Sequence, residues 1–102
     1  MSEQRAGVIP TLAMLRARRE EILVIASRNG ASNLRVYGSV ARGEAREGSD
    51  IDLLVDMEPG RSLLDLAGLH LELEDLLGCR VEVGTDVKPR LRDRVRAEAV
   101  VL

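Results

Sequence analysis

"YGSVARGEAREGSDID", residues 37–52, sets Gly38-Ser39 ten residues ahead of Asp50-Ile51-Asp52. The segments on either side make this the turning point of the fold. "NLRVYG" (33–38) reads as a short strand ending at Gly38. "DIDLLVDM" (50–57) reads as a second, with Ile51, Leu53 and Val55 on one face and Asp50, Asp52 and Leu54 on the other. The glycine-rich connection from Gly38 to Ser49 is long for a hairpin, and loops of that length in small domains are often functional. Asp50 and Asp52 leave one face of their strand together, where their charges repel unless a cation lies between them or one takes a proton. Hard divalent ions such as Mg²⁺ suit this all-oxygen setting and take further ligands from a substrate phosphate. Gly38 permits a backbone path closed to other residues, so the amides after it can converge on an anion. "SVARG" starts a short helical turn, and Ser39 offers its hydroxyl to a phosphate oxygen. Singly these residues have ordinary explanations: a turn for Gly38-Ser39, a strand cap for Asp50, a solvated strand residue for Asp52. Together, at this spacing on strand–loop–strand, they describe a phosphate clamp facing a metal site.

Working outward, residues 1–9 read as a flexible N-terminal tail and residues 10–102 as one domain. From Thr11, Leu12, Leu15, Ile22, Ile25 and Ala26 recur at helical spacing up to a stop at Asn29-Gly30. After a turn at "EPG" (58–60), Ser62 and Asp65 form a capping-box pattern. Leu66, Leu69, Leu73 and Leu76 then mark one face of a helix closed by Gly78. "CRVEVGT" (79–85) is a third strand, with Glu82 opposite Val81 and Val83. Pro89 opens a last helix with Leu91, Val95 and Ala99 as its buried stripe. The order helix, strand, strand, helix, strand, helix predicts a small mixed α/β domain, with helices packed on a sheet of at least three strands.

A chain of 102 residues supports one core, and with one Tyr and no Trp or Phe that core is aliphatic. The balance of 45% apolar and 31% charged residues fits a folded chain rather than a disordered one. A net charge of −2 argues against direct nucleic-acid or anionic-membrane binding by the chain as a whole. The aliphatic run "ILVIA" (22–26) is too short to span a bilayer, and "MSEQRAGV" lacks the features of a signal peptide. The single cysteine, Cys79, precludes an internal disulfide and reads as a small buried hydrophobe in a cytoplasmic protein.

The segment "GSVARGEAREGSDID" matches the nucleotidyltransferase signature Gly-Ser, ten residues, Asp-x-Asp, and "ARGEA…SDIDLLVD" resembles its minimal nucleotidyltransferase branch. That branch includes the antitoxins of HEPN toxin–antitoxin pairs. The resemblance runs over nearly the whole chain and implies a nucleotidyltransferase-like small mixed sheet. It also implies transfer of a nucleoside monophosphate from an NTP to a hydroxyl. On the matching positions, Gly38 and Ser39 would hold the triphosphate, while Asp50 and Asp52 would bind one or two Mg²⁺ ions. The family's third acid is usually Asp; the candidate here is Glu82, as metal ligand or as base, and its extra methylene departs from the pattern. Arg42 is a candidate to screen phosphate charge, and Arg46 a weaker one. Tyr37 reads as a packing residue, His70 as a surface or boundary residue, and Asp56 as solvated. Lys88, Arg90, Arg92, Arg94 and Arg96 read as a solvated face or a contact for an acidic partner.

Larger nucleotidyltransferases carry a further domain for the base and the acceptor, and the expectation for this chain is that a partner protein supplies those parts. The resemblance therefore implies a hetero-oligomer in which AMP passes from ATP to a tyrosine hydroxyl of a HEPN-domain RNase toxin, neutralising it. An alternative is an antitoxin that neutralises the toxin by direct binding and occlusion without catalysis. A third reading, transfer to a small molecule or an RNA 3′ end, sits poorly with the acidic charge and small size. A strand edge left exposed would serve a homodimer or a heteromer.

Overall fold

The computed structural model of the protein describes residues 8–85 and 99–102. Strand β1 (Ala31–Tyr37) pairs antiparallel with β2 (Ile51–Met57), the two most strand-like segments of the sequence. The connection between them is partly helical. Helix α3 (Gly38–Arg42) starts directly at the end of β1, and Gly43 in the left-handed region closes it. A small turn follows, in which the Arg46 amide donates to Ser49 Oγ at 2.8 Å and the Ser49 amide to the Arg46 carbonyl at 3.0 Å.

From β2 the chain passes through α4 (Leu63–Leu77) to β3 (Val81–Gly84), which lies parallel to β2. The Ser62–Asp65 capping box forms as its spacing predicts. The Leu64 amide donates to Ser62 Oγ at 3.2 Å, and the Ser62 amide to Asp65 Oδ2 at 2.9 Å. Of the expected stripe, Leu69 and Leu73 are buried and Leu66 and Leu76 only partly covered, while Leu77 joins the buried set. A strict four-residue repeat keeps Leu69, Leu73 and Leu77 over the sheet.

The expected single N-terminal helix is two: α1 (Leu12–Ala17) and α2 (Arg19–Arg28), parted at Arg18. Arg18 leaves helical geometry, its amide bonds the Leu15 carbonyl at 3.1 Å, and its guanidinium grips both oxygens of Glu21. The break contains no glycine or proline. Leu15 and Ile22, one on either side of it, both seat in the core, at 0% and 1% exposure. Residues 89–98 of the expected last helix lie outside the described residues. Ala99 is not helical, and Val100–Val101 form a short strand β4 antiparallel to β1, a strand the sequence did not predict.

The sheet order is β3-β2-β1-β4. Its helix-facing side carries Val36, Ile51, Leu53, Val55 and Val81, joined in one aliphatic cluster with Ile22, Ile25 and Ala26 of α2 and the α4 leucines. Cys79 is buried in that cluster, where burial raises its thiol pKa, as expected of a small core residue. Arg28 and Asn29, at the end of α2, both bond Glu72, tying the two helices together over the sheet.

Candidate functional site

On the sheet face away from α2 and α4, register places three polar side chains in one row across three strands. Tyr37 of β1 lies opposite Asp52 of β2, and Asp52 lies beside Glu82 of β3. Strand alternation gives all three the same outlook, opposite to Val36, Leu53, Val81 and Val83. Gly38, next after Tyr37, has φ +74°, and a Cβ there would collide with Asp52 Oδ2. Glycine therefore serves twice, permitting the turn from strand into α3 and letting that turn rest against the carboxylate.

The electrostatics of the row centre on Asp52. Its carboxyl is pushed up from 3.8 to about 6, first by burial, then by the charge of Glu82 and a hydrogen bond to it, then by the charge of Asp50. Arg42 on α3 opposes the shift, so its guanidinium senses the same carboxylate. Arg42 also pairs with Glu44 at 3.3 Å. The Tyr37 phenol is raised by burial and by Asp52 and Glu82. Asp50 lies just ahead of β2, half-buried.

Gly38, Asp52 and Glu82 are thus brought together, with Asp50 and Arg42 close enough to shift Asp52. Ser39 is on the first turn of α3, and its carbonyl accepts from the Glu44 amide at 2.9 Å. Asp56, read as solvated, lies two pairs further along β2 and accepts from Arg35 and Asn33, both at 2.9 Å. Lys88, Arg90, Arg92, Arg94 and Arg96 lie outside the described residues.

The donor set suits a hard divalent cation. Burial and the charges of Glu82 and Asp50 raise the proton affinity of Asp52, and a cation among the three carboxylates would relieve that repulsion. Among the described residues no three His, Cys, Asp or Glu side chains already stand as a ligand group, so holding an ion requires them to turn toward it.

Two residues acquire a place at the site that their sequence context did not give them. Tyr37 reads as a packing residue, yet it ends the carboxylate row; its position directly before the Gly-Ser pair was the available signal. His70, read as a surface or boundary residue, is half-buried and lines a groove of about 480 Å³ together with Leu63, Leu66, Ala67, Val81, Glu82 and Val83. Its Nε2 lies 3.1 Å from Glu74 Oε2, the same oxygen that accepts from the Val81 amide at 3.0 Å. Only the packing of α4 on β3 reveals that arrangement. Among the described residues no helix is long and apolar enough to cross a membrane.

Comparison with known proteins adds kinship to this geometry. Residues 19–100 match the nucleotidyltransferase domain family. A Methanocaldococcus jannaschii protein named "putative protein adenylyltransferase" is 44% identical over 84 residues, covering 80% of this chain and 90% of that protein. Protein adenylyltransferase MntA of Thermococcus cleftensis is 44% identical over 71 residues, covering 70% and 69%. A solved structure described as a "putative minimal nucleotidyltransferase" superposes with TM-score 0.81 at 56% identity, over 90% of this chain and 96% of that one. A chain from a crystal structure of a toxin–antitoxin with AMP-PNP shares the fold at TM-score 0.68 and 19% identity, over 80% and 69%.

Proposed function

Because this chain belongs to the nucleotidyltransferase domain family, and within it to the minimal nucleotidyltransferases, we propose that it is a Mg²⁺-dependent protein adenylyltransferase acting on a HEPN-domain RNase toxin. It moves AMP from ATP to a tyrosine hydroxyl of that partner in the cytoplasm and so neutralises it. The names of the two adenylyltransferase relatives support the activity. The Gly-Ser, ten residues, Asp-x-Asp signature, with its likeness to antitoxins of HEPN pairs, supports the partner.

The observation that carries the reading is the seating of Gly38 against Asp52, with Glu82 alongside. Gly38 and Ser39 hold the triphosphate at the start of α3, and Arg42 screens its charge from the same helix. Asp50, Asp52 and Glu82 would hold the metal, or Glu82 would instead take the hydroxyl proton. The acceptor hydroxyl gives up its proton, to Glu82 where that residue acts as base and otherwise to water. Its oxygen bonds to the α-phosphorus as the bond to the β-phosphate oxygen breaks, and pyrophosphate leaves on the side opposite the attack. Bound Mg²⁺, one or two ions, would offset the charge on the α-phosphate and orient the attacking oxygen.

The test incubates the chain with ATP, Mg²⁺ and a HEPN-domain protein encoded beside it, and reads the partner's intact mass. An AMP-sized gain is expected, absent with the Asp50→Asn/Asp52→Asn double variant. Tight association with no mass gain, and toxin neutralised equally by the variant, would replace catalysis with occlusion.

A further inference from the structure

Glu82 belongs to two features at once, the carboxylate row and the groove between α4 and the edge of the sheet. Among the described residues β3 is the outermost strand on its side. Val81 and Val83 face the helix layer and Glu82 faces the other way, so a groove touching all three turns round the sheet edge as far as Glu82, the outermost member of the carboxylate row. Its far wall is Leu63, Leu66, Ala67 and His70, spaced i, i+3, i+4 and i+7 along one face of α4.

The helix wall of this groove is apolar at its open end, where Leu63 is 83% exposed. The surroundings lean acidic: α4 carries Asp65, Glu72, Glu74 and Asp75 with no Lys or Arg of its own, Arg61 and Arg28 pairing with Asp65 and Glu72. Glu82 lines the groove, with Asp52 next to it across the sheet. The strand itself has pairing capacity. The Val81 amide points away from β2 to Glu74, and by the alternation of a parallel ladder Val83 directs its amide and carbonyl the same way. No described residue pairs with those groups of Val83.

We propose that this groove is the docking site of the acceptor protein. An extended segment of the partner lies along the β3 edge and bonds the outward groups of Val83. Its apolar side chains sit against Leu63, Leu66 and Ala67, and its hydroxyl-bearing residue passes Glu82 to reach Asp52. Edge-strand addition supplies main-chain affinity while the groove supplies side-chain selection, and the acidic surround calls for basic residues flanking the apolar ones. The inference rests on the adenylyltransferase reading for the identity of the occupant.

Affinity for the HEPN partner, measured by calorimetry without nucleotide, tests the site separately from the chemistry. Ala67→Trp fills the groove, Leu63→Glu charges its lip, and Val24→Glu is the control on exposed α2 surface. Ala67, Leu63 and Val24 are all exposed, so each variant folds. Ala67→Trp and Leu63→Glu should weaken partner binding by about tenfold or more, the loss typical of a disrupted interface centre. Val24→Glu should leave it unchanged, and all three should bind Mg²⁺–ATP as the parent does. Partner affinity equal to the parent's in both groove variants overturns the proposal, as does failure of the parent chain to bind the partner at all. Parallel loss of ATP affinity would make the groove part of the nucleotide pocket, and loss of a parent homodimer on light scattering would assign it to a second copy; either result overturns it. Binding that depends on the groove with no AMP transferred would instead sink the adenylyltransferase reading and leave the docking site standing.

Discussion

At the scale of single residues, Asp52 concentrates the conflict between fold and function. Its carboxyl is held at about 6 against an ordinary 3.8, so the folded chain binds a proton there more tightly than the unfolded chain does. Its contribution to stability is therefore complete below about pH 4 and is lost as pH rises through about 6. Asp65 and Glu21 shift the other way, held down by the Ser62 amide and by Arg18 respectively, so their contributions are lost on acidification. Those two are untouched in Asp52→Asn, and comparing that variant with the parent isolates Asp52. In EDTA at pH 7.5 Asp52→Asn should melt above the parent, and the gap should close as pH falls from about 6 to 4. Equal melting curves at both pH values would mean that Asp52 is not crowded by its neighbours. A residue that weakens the empty fold in this way is what a cation-binding role predicts, since function tolerates local strain where an ion relieves it.

At the scale of elements, α4 matters most, because it buries Leu69, Leu73 and Leu77 against the sheet and also forms one wall of the groove. Its entry is fixed by the Ser62–Asp65 box, reinforced by Arg61 reaching Asp65 at 3.4 Å and Glu58 at 3.0 Å. Ser62→Ala removes the side-chain acceptor for the Leu64 amide and should cost about 1 kcal/mol in urea unfolding. The partner affinity of Ser62→Ala should fall too, because Leu63 is the first residue of the helix it loosens. The α1–α2 break shows the opposite balance. Propensity and periodicity both favour one continuous helix, yet the chain parts at Arg18 with Leu15 and Ile22 buried on either side of the break.

At the scale of the whole molecule, the C-terminal residues close the fold. β4 adds to the free side of β1, and Leu102 enters the core at 8% exposure. Its amide bonds the Leu34 carbonyl at 3.0 Å, and its carbonyl accepts from Arg19 Nε at 2.7 Å. Leu102→Ala should destabilise the chain by roughly 2–3 kcal/mol, the ordinary cost of a buried leucine truncation, with the backbone contacts kept. A change within a few tenths of a kcal/mol would mean that the end of the chain does not anchor the sheet.

Local rules account for what the sequence determined. Alternating apolar residues made β2 legible, the Ser62–Asp65 spacing announced the start of α4, and the left-handed preference of glycine marked Gly38 and Gly78. The Gly-Ser and Asp-x-Asp spacing pointed to the carboxylate pair because the two acids are close in sequence, Asp52 on β2 and Asp50 directly ahead of it. Glu82 was recoverable by strand parity, but its lateral neighbour was not, since register between strands distant in sequence is set by packing. Tertiary structure alone decided that Tyr37, Asp52 and Glu82 form one row, that His70 faces a groove beside them, that Val100–Val101 add a strand, and that the first helix bends. Each of these joins residues far apart along the chain or answers a core shared by several elements, and neither period nor propensity carries that information.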